Sequence, residues 1–447
     1  MTFLKLRASA AASLGCALAL SAAFASADPV EPGWVPSPDA VQTPYLKGVP
    51  HTDAQGRPRF AFDPADSFLP IGLYHGLNGE FEGVAYSFKP VANAGFNTVV
   101  AWGGLETDVV LDGAEQFGLQ VIISLPRDDE VITARDHAHV LGFDIDHEPS
   151  ESRKPARVLE RLDRFEVRRS EIRAVDPDRA VFTVDFPVIY QARREGWEKW
   201  RRAGDLSSFW NYPIAGDHSA SVGGPFGVGE TVARAVDAVD ARKPIWMVTQ
   251  AFIGPVFDYD WRMPTPQQAR AMSYAAMVRG ATGLIWFSYD SFVTRNGKVI
   301  GISPNPQPDY GIVLDNALTG KTPLVADAAQ LEASRVLWDA VAELNREFAA
   351  QREIWLSPTA ALDYEIEIQG ARTSRVPVLT HLKQTHDGVY LVAVNVDENS
   401  VSYRVLFPDA PDEITRIAGN GSARLADGRI VGALDGFGAI VLKLTGL

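Results

Sequence analysis

Between Gly142 and Pro149 the chain reads Gly-Phe-Asp-Ile-Asp-His-Glu-Pro, so Asp144, Asp146 and Glu148 recur at every second position. Side chains of an extended strand alternate between its faces, which predicts these three carboxylates on one stripe. Carboxylates crowded on one surface repel one another, and burial penalises their charged form; both effects raise a carboxyl pKa. A carboxylic acid that keeps its proton near neutral pH is what general acid catalysis requires. The competing reading is a solvated loop start, or a cluster capping the following helix.

Other β-branched or aromatic runs end in further polar and aromatic groups: His75, Trp102, Arg127, Asp185, Trp210-Asn211-Tyr212, Gln250 and Tyr289-Asp290. A saccharide presents C–H faces edged by hydroxyls. Flat rings beside Asn, Gln, Asp and Arg therefore predict a carbohydrate as the ligand. Trp246 and Trp286 lie lower in their runs and are expected in the core. His137-x-His139 has the spacing of a metal pair but precedes the fourth run, away from any expected mouth. The remaining histidines (His51, His75, His147, His218, His381, His386) lack ligand spacing, so neither a metal nor a cofactor is expected. No G-x-S-x-G elbow occurs, and Ser288 has no obvious base.

The elements that must position these groups follow a rhythm. Strand-like runs cover 69–75, 98–102, 120–125, 140–146, 180–185, 206–212, 244–250 and 283–289. Amphipathic helical stretches alternate with them at 90–94, 110–117, 156–175, 191–203, 231–241 and 267–279. Eight βα units in about 220 residues predict a (β/α)8 TIM barrel, whose reactive groups come from the carboxyl ends of its strands. An open doubly wound sheet would more usually carry a Gly-rich phosphate turn, and no such pattern opens a helix here. Gly95 and Gly118 sit where helices should end in a left-handed residue, and Thr265-Pro266 reads as an N-cap followed by the first helical position. A Pro/Gly/Asn-rich excursion over 291–330 is expected to cover or flank the site. A strong amphipathic helix over 331–351 follows it. From about 356 the pattern changes to short alternating strands (388–396, 402–406, 439–444), which predicts a small C-terminal antiparallel β-sandwich.

Composition sets the outer bounds. The chain has 447 residues, 46% hydrophobic and 22% charged, as a core-forming globular protein does, with a net charge of −14. That charge argues against a nucleic-acid surface and favours neutral or cationic partners. Lys5 and Arg7 precede an Ala-rich apolar run over 8–25, and Ala25-Ser26-Ala27 offers a small-x-small cleavage site. This is the layout of a secretory signal peptide, and it predicts a secreted or periplasmic protein with no integral membrane segment after cleavage. The single cysteine, Cys16, would leave with it, so neither a disulfide nor a thiol nucleophile is expected. The expected divisions are a signal peptide (1–27), an extended N-terminal arm (28–66), the barrel (67–355) and the sandwich (356–447).

Over 142–149 the sequence resembles the fourth strand of clan-A-type (β/α)8 glycoside hydrolases, which ends in Asn-Glu-Pro or Asp-Glu-Pro with the Glu as acid/base. Trp210-Asn211-Tyr212-Pro213 is similar to the Asp-x-Tyr-Pro turn after their sixth strand. The order of elements from about 68 to 447 follows the same layout. The resemblance implies glycosidic bond hydrolysis with Glu148 as proton donor, and it departs from the group at two places. His147 stands where the group has Asn or Asp, which bears on contacts to a sugar 2-hydroxyl. The seventh strand ends in Gln250, where retaining members carry the nucleophilic Glu, and an amide cannot form the glycosyl ester. A second carboxylate is then expected from Asp290 or Asp185, or from Asp258 or Asp260 in the loop after strand seven. Asp144, Asp146, His147, Arg127, His75, Trp102, Trp210, Asn211, Tyr212, Gln250 and Tyr289 are the expected substrate-binding residues. The rival reading is a barrel that binds glycans without cleaving them.

Overall fold

The computed structural model describes residues 34–36, 68–74, 79–81, 84–101, 107–150, 154–187, 194–215, 222–223, 227–240, 243–256, 259–294, 297–303, 312–313, 327–369 and 377–447. Eight strands close a parallel barrel: β1 (Ile71–Tyr74), β2 (Thr98–Ala101), β3 (Gln120–Ser124), β4 (Val140–His147), β5 (Ala180–Asp185), β6 (Ser207–Asn211), β7 (Ile245–Gln250) and β8 (Gly283–Phe287). These are the eight runs expected from the sequence, with ends differing by no more than two residues. Both faces of each strand are buried, which is why the runs read as continuous apolar stretches. Val100, Ile122, Phe182, Val184, Trp246, Val248 and Ile285 fill the barrel. Val99, Val121, Phe143, Val181, Phe209, Met247 and Leu284 face the surrounding helices.

Those helices are α1 (Lys89–Asn93), α2 (Thr107–Phe117), α3 (Asp128–Arg135), α4 (Pro155–Val175), α5 (Arg194–Arg202), α6 (Val228–Ala238) and α7 (Pro266–Val278), followed by α8 (Ala328–Ala350) and α9 (Arg352–Leu356). Helix α3 is absent from the sequence reading because its apolar signal is weak; only Val131 and Ala134 are buried. Its ends supply the missing signal: Asp128, Asp129 and Glu130 crowd the positive first turn, and Glu130 caps back onto the Arg127 amide. Thr265 does cap α7 as expected, accepting from the Gln268 amide with Pro266 next in line. Gly95 and Gly118 adopt φ of +81° and +68°, the left-handed helix exits that their positions require.

The C-terminal region is a β-sandwich. One sheet holds β10 (Val378–Thr385), β11 (Gly388–Asn395), β16 (Ala439–Thr445) and β13 (Glu413–Gly419). The other holds β9 (Glu365–Gln369), β12 (Val401–Leu406), β15 (Arg429–Leu434) and β14 (Ser422–Ala426), with Trp34–Pro36 pairing antiparallel to β9 at its edge. Leu391, Tyr403, Val405, Ile430 and Leu442 pack between the sheets. On β11 the alternate residues Tyr390, Val392 and Val394 turn the other way and join the barrel's own core against α7. Helix α7 is consequently buried on nearly all sides, Ala269, Met272, Tyr274, Ala275 and Met277 included. The hydrophobic layer around the outside of the barrel thus continues onto one face of the sandwich. Among the described residues no helix is long and apolar enough to cross a membrane.

Candidate active site

The fourth strand decides the site. Its pairing with β3 shifts register after Val121, and its pairing with β5 shifts again between Asp144 and His147. The second irregularity places three steps of β4 against two of β5, since Asp144 pairs with Phe182 and His147 with Val184. Phe182 and Val184 both point into the barrel, so their partners Asp144 and His147 do too. Asp146 is displaced from that face. Its carboxylate is gripped by Arg161 of α4 at 2.5–3.1 Å, and Thr183 donates to its carbonyl. The expected stripe of three carboxylates is therefore corrected: the bulge removes Asp146 from the mouth and substitutes His147.

Glu148 follows with φ of +48°, a left-handed conformation uncommon for a residue with a side chain. Its amide still donates to the Val184 carbonyl at 2.8 Å, while Arg161 donates to the carbonyls of His147 and Glu148. The backbone is thus held on both sides through the strained residue. Its side chain reaches across the barrel end to β6, where the Trp210 indole N–H donates to Oε1 at 2.8 Å.

Trp210 and Tyr212 stack at 4.5 Å with their planes 14° apart, and Phe287 of β8 continues the wall at 5.7 Å from Tyr212. Phe252 meets both Tyr212 and Phe287 edge-on. Behind them lie Trp261, Val299 and Phe292, the last two from the described start of the 291–330 excursion, which flanks the mouth on this side.

Opposite Trp210, a polar network joins three strands. Ser124 of β3 donates to Asp144 Oδ2 at 3.0 Å and lies 2.8 Å from His147 Nε2. His147 Nε2 is itself 3.1 Å from Asp144 Oδ2. The Tyr74 hydroxyl sits 3.3–3.4 Å from both ring nitrogens. Asp144 has no exposed surface, and burial pushes its carboxyl above the usual range, opposed by His147, Ser124 and the Val184 amide. The raised carboxyl expected on β4 is thus found at Asp144, with desolvation as its main cause and repulsion from Asp146 only a minor one. Burial likewise raises the Tyr74 phenol well above its ordinary value, helped by the negative charge of Asp144.

The structure therefore gathers Asp144, His147, Glu148, Trp210 and Tyr212 at the mouth. Several other expected residues are corrected. Asp185 takes the outward parity of β5 and is fully buried against Arg201 at 2.6 Å, with Ser150 Oγ at 2.7 Å. Burial pulls the Asp185 pKa up and the Arg201 pKa down, and their contact opposes both shifts. Asn211 also faces outward and donates to Thr231 of α6. Gln250 has the inward parity, but backbone groups take up its amide: it accepts from Ile214 N at 2.9 Å and donates to the carbonyls of Arg262 and Ile214. Tyr289 is buried 5.6 Å from Trp338 of α8, outside the barrel, and its phenol is pushed up to about 12. Arg127 is exposed and paired with Asp129 and Glu130.

Asp290 is 6% exposed with Oδ2 unpaired among the described residues, and burial holds its carboxyl well above the usual range. Asp260 is exposed on the hairpin after β7. His75, Trp102 and Asp258 lie outside the described residues. Trp246 and Trp286 are core residues, as expected. His139 lies at the amino end of β4, its Nδ1 2.8 Å from the Leu119 carbonyl.

Tyr74, Ser124 and Phe287 were missed by sequence reasoning, although the signal existed. Counting by twos from the inward Ile122 reaches Ser124, and from the inward Ile285 reaches Phe287. Tyr74 occupies the same inward parity at the end of β1.

No family model matches the chain, and no curated protein matches it in sequence. Solved structures do. Amy13B of Eubacterium rectale superposes with a TM-score of 0.51 at 10% identity, over 92% of this chain and 100% of that one. The isomaltulose synthase PalI of Klebsiella sp. LX3 gives 0.50 at 11% identity, over 84% and 98%. At these identities the likeness is one of fold, and it extends through most of both chains.

Proposed function

We propose that this chain is an exported glycoside hydrolase acting on a poly- or oligosaccharide, with Glu148 as the general acid. The observation that carries this reading is the setting of Glu148. A left-handed backbone residue at the carboxyl end of a barrel strand turns a carboxyl group toward a stacked Trp-Tyr wall, where an indole N–H anchors it. Backbone strain of this kind costs about 1–3 kcal/mol and persists where surrounding structure over-determines it, often at functional sites. The stacked rings suit the C–H face of a sugar, and the likeness in fold to carbohydrate-named barrels agrees with that ligand class.

The test is reducing-end release from a panel of polysaccharides. Wild type should cleave at least one, and Glu148→Gln should lower that rate by roughly 10²- to 10⁴-fold. Activity that survives the substitution would overturn the assignment of the acid. A second reading, glycan binding without turnover, draws on Gln250. The residue at the end of β7 is an amide saturated by backbone, so the group that would form a glycosyl ester is absent there. Binding by calorimetry without cleavage across the panel would favour it.

A further inference from the structure

Of the carboxylates expected as the second group, Asp185 is buried against Arg201, Asp290 is buried with Oδ2 unpaired among the described residues, and Asp260 is exposed on the hairpin after β7, while Asp146 is tied to Arg161. The group that does face the mouth beside Glu148 is His147, whose side chain keeps a quarter of its surface exposed. From this arrangement we infer that His147, held by Asp144 and Ser124, is the general base that activates water in a single-displacement, inverting hydrolysis. This inference rests on the glycosidase reading above and supplies its missing second group.

The neighbours of the ring favour one tautomer. Ser124 donates to Asp144 Oδ2, so its oxygen is left to accept, and Asp144 can only accept once ionised. Both lie within 3.1 Å of His147 Nε2, and the tautomer that satisfies both puts the ring proton there, donating toward them. That tautomer leaves Nδ1, 3.4 Å from the Tyr74 hydroxyl, as the basic nitrogen of the ring. Asp144 also accepts from the Val184 amide at 3.2 Å, so the pair is anchored in two neighbouring strands. Asp144 and Ser124 are positioning residues: they orient the imidazole and stabilise the imidazolium that forms.

The step balances without a co-reactant beyond water. Water's oxygen forms the new bond to the anomeric carbon while its proton passes to His147 Nδ1. The bond from that carbon to the leaving oxygen breaks, and the leaving oxygen takes its proton from Glu148. The products are a hemiacetal of inverted configuration and a free hydroxyl. Glu148 is left ionised and His147 protonated, and exchange with solvent resets both.

The decisive experiment is proton NMR of the anomeric region during cleavage of whichever polysaccharide in the panel the full-length protein hydrolyses, read before mutarotation. Inverted product is expected. Retention would overturn the inference and leave the glycosidase reading standing. His147→Ala should cut turnover at least 10²-fold, and added imidazole should restore part of it, which a merely structural role would not allow. His147→Asn serves as the control for folding, with circular dichroism unchanged and turnover equally low. Full activity in either variant would also overturn the inference. If wild type cleaves nothing in the panel, the hydrolase reading falls and the inference falls with it.

Discussion

Strands β4 and β5 are paired neighbours, and each brings acidic side chains to the same rim of the barrel, yet they use them in opposite ways. On β5 strict alternation sends Ala180, Phe182 and Val184 inward and Asp185 outward, where an arginine buries it. On β4 a bulge breaks the alternation, so that Asp144, His147 and Glu148 all gather at the mouth while Asp146 leaves for α4. The same chemistry thus becomes structural on a regular strand and available on an irregular one. Bulges near active sites re-aim side chains in this manner.

The sharpest way to break this comparison is at Arg201. Replacing it by Met removes the guanidinium that lies over Trp197 and Phe209 and leaves Asp185 buried without its cation. Stability to denaturant should fall by about 3–5 kcal/mol, and Asp185→Leu added to it should recover most of the loss. A loss well under 1 kcal/mol would mean that Asp185 has another outlet, the mouth included.

On the β4 side, Trp210→Phe keeps a flat ring and deletes the N–H that holds Glu148. Glu148 becomes charged as it gives up its proton, and a hydrogen bond to a charged group is worth about 1.5–3 kcal/mol. The expected result is a fall of roughly ten- to a hundredfold in kcat/KM on the cleaved glycan, with the thermal midpoint little changed. Unchanged kinetics would detach Trp210 from the acid.

Gln250 sharpens the contrast further, because its parity is right and its partners are backbone. Gln250→Leu leaves the Ile214 amide and the Arg262 carbonyl without it and should cost about 1–3 kcal/mol in stability. Gln250→Glu should not raise glycan cleavage, since the side chain is aimed at two loops. A gain in turnover would show that it faces the sugar after all.

The smallest effect is expected at Asp290. Its folded pKa lies above the unfolded value of about 3.9, so the folded state holds the extra proton and stability falls as pH rises through that window. Asp290→Asn removes this liability. Melting curves should coincide below about pH 3, and the variant should gain on wild type as pH rises, by about 1.4 kcal/mol for each unit by which the folded pKa is raised. A variant less stable than wild type at pH 7 would mean that the carboxyl is ionised and paired.

The barrel was legible because each strand announces itself through a β-branched apolar run between turn signals, and because both faces of a parallel sheet are buried. The sandwich was legible through period-two alternation. Glu148, Trp210 and Tyr212 were found from residue types at strand ends. What failed was the assumption of unbroken alternation: it put Asp146 beside Asp144, and no apolar pattern marks the bulge that separates them. Asp185 and Asn211 failed for a different reason. Inward parity could have been counted from Phe182 and Val184, or from Trp210, and the count sends both polar groups to the helices. Gln250 could not have been excluded that way, since its partners are backbone atoms of loops that sequence does not bring near.

The central claim is that Glu148 gives its proton to the leaving oxygen, and leaving-group dependence tests it most directly. Wild type and Glu148→Gln should be compared on the cleaved polysaccharide and on the matching 2,4-dinitrophenyl glycoside, whose leaving group departs without a proton. The expected result is a loss of at least 10²-fold on the polysaccharide and a rate close to wild type on the aryl glycoside. An equal loss on both substrates would contradict the claim.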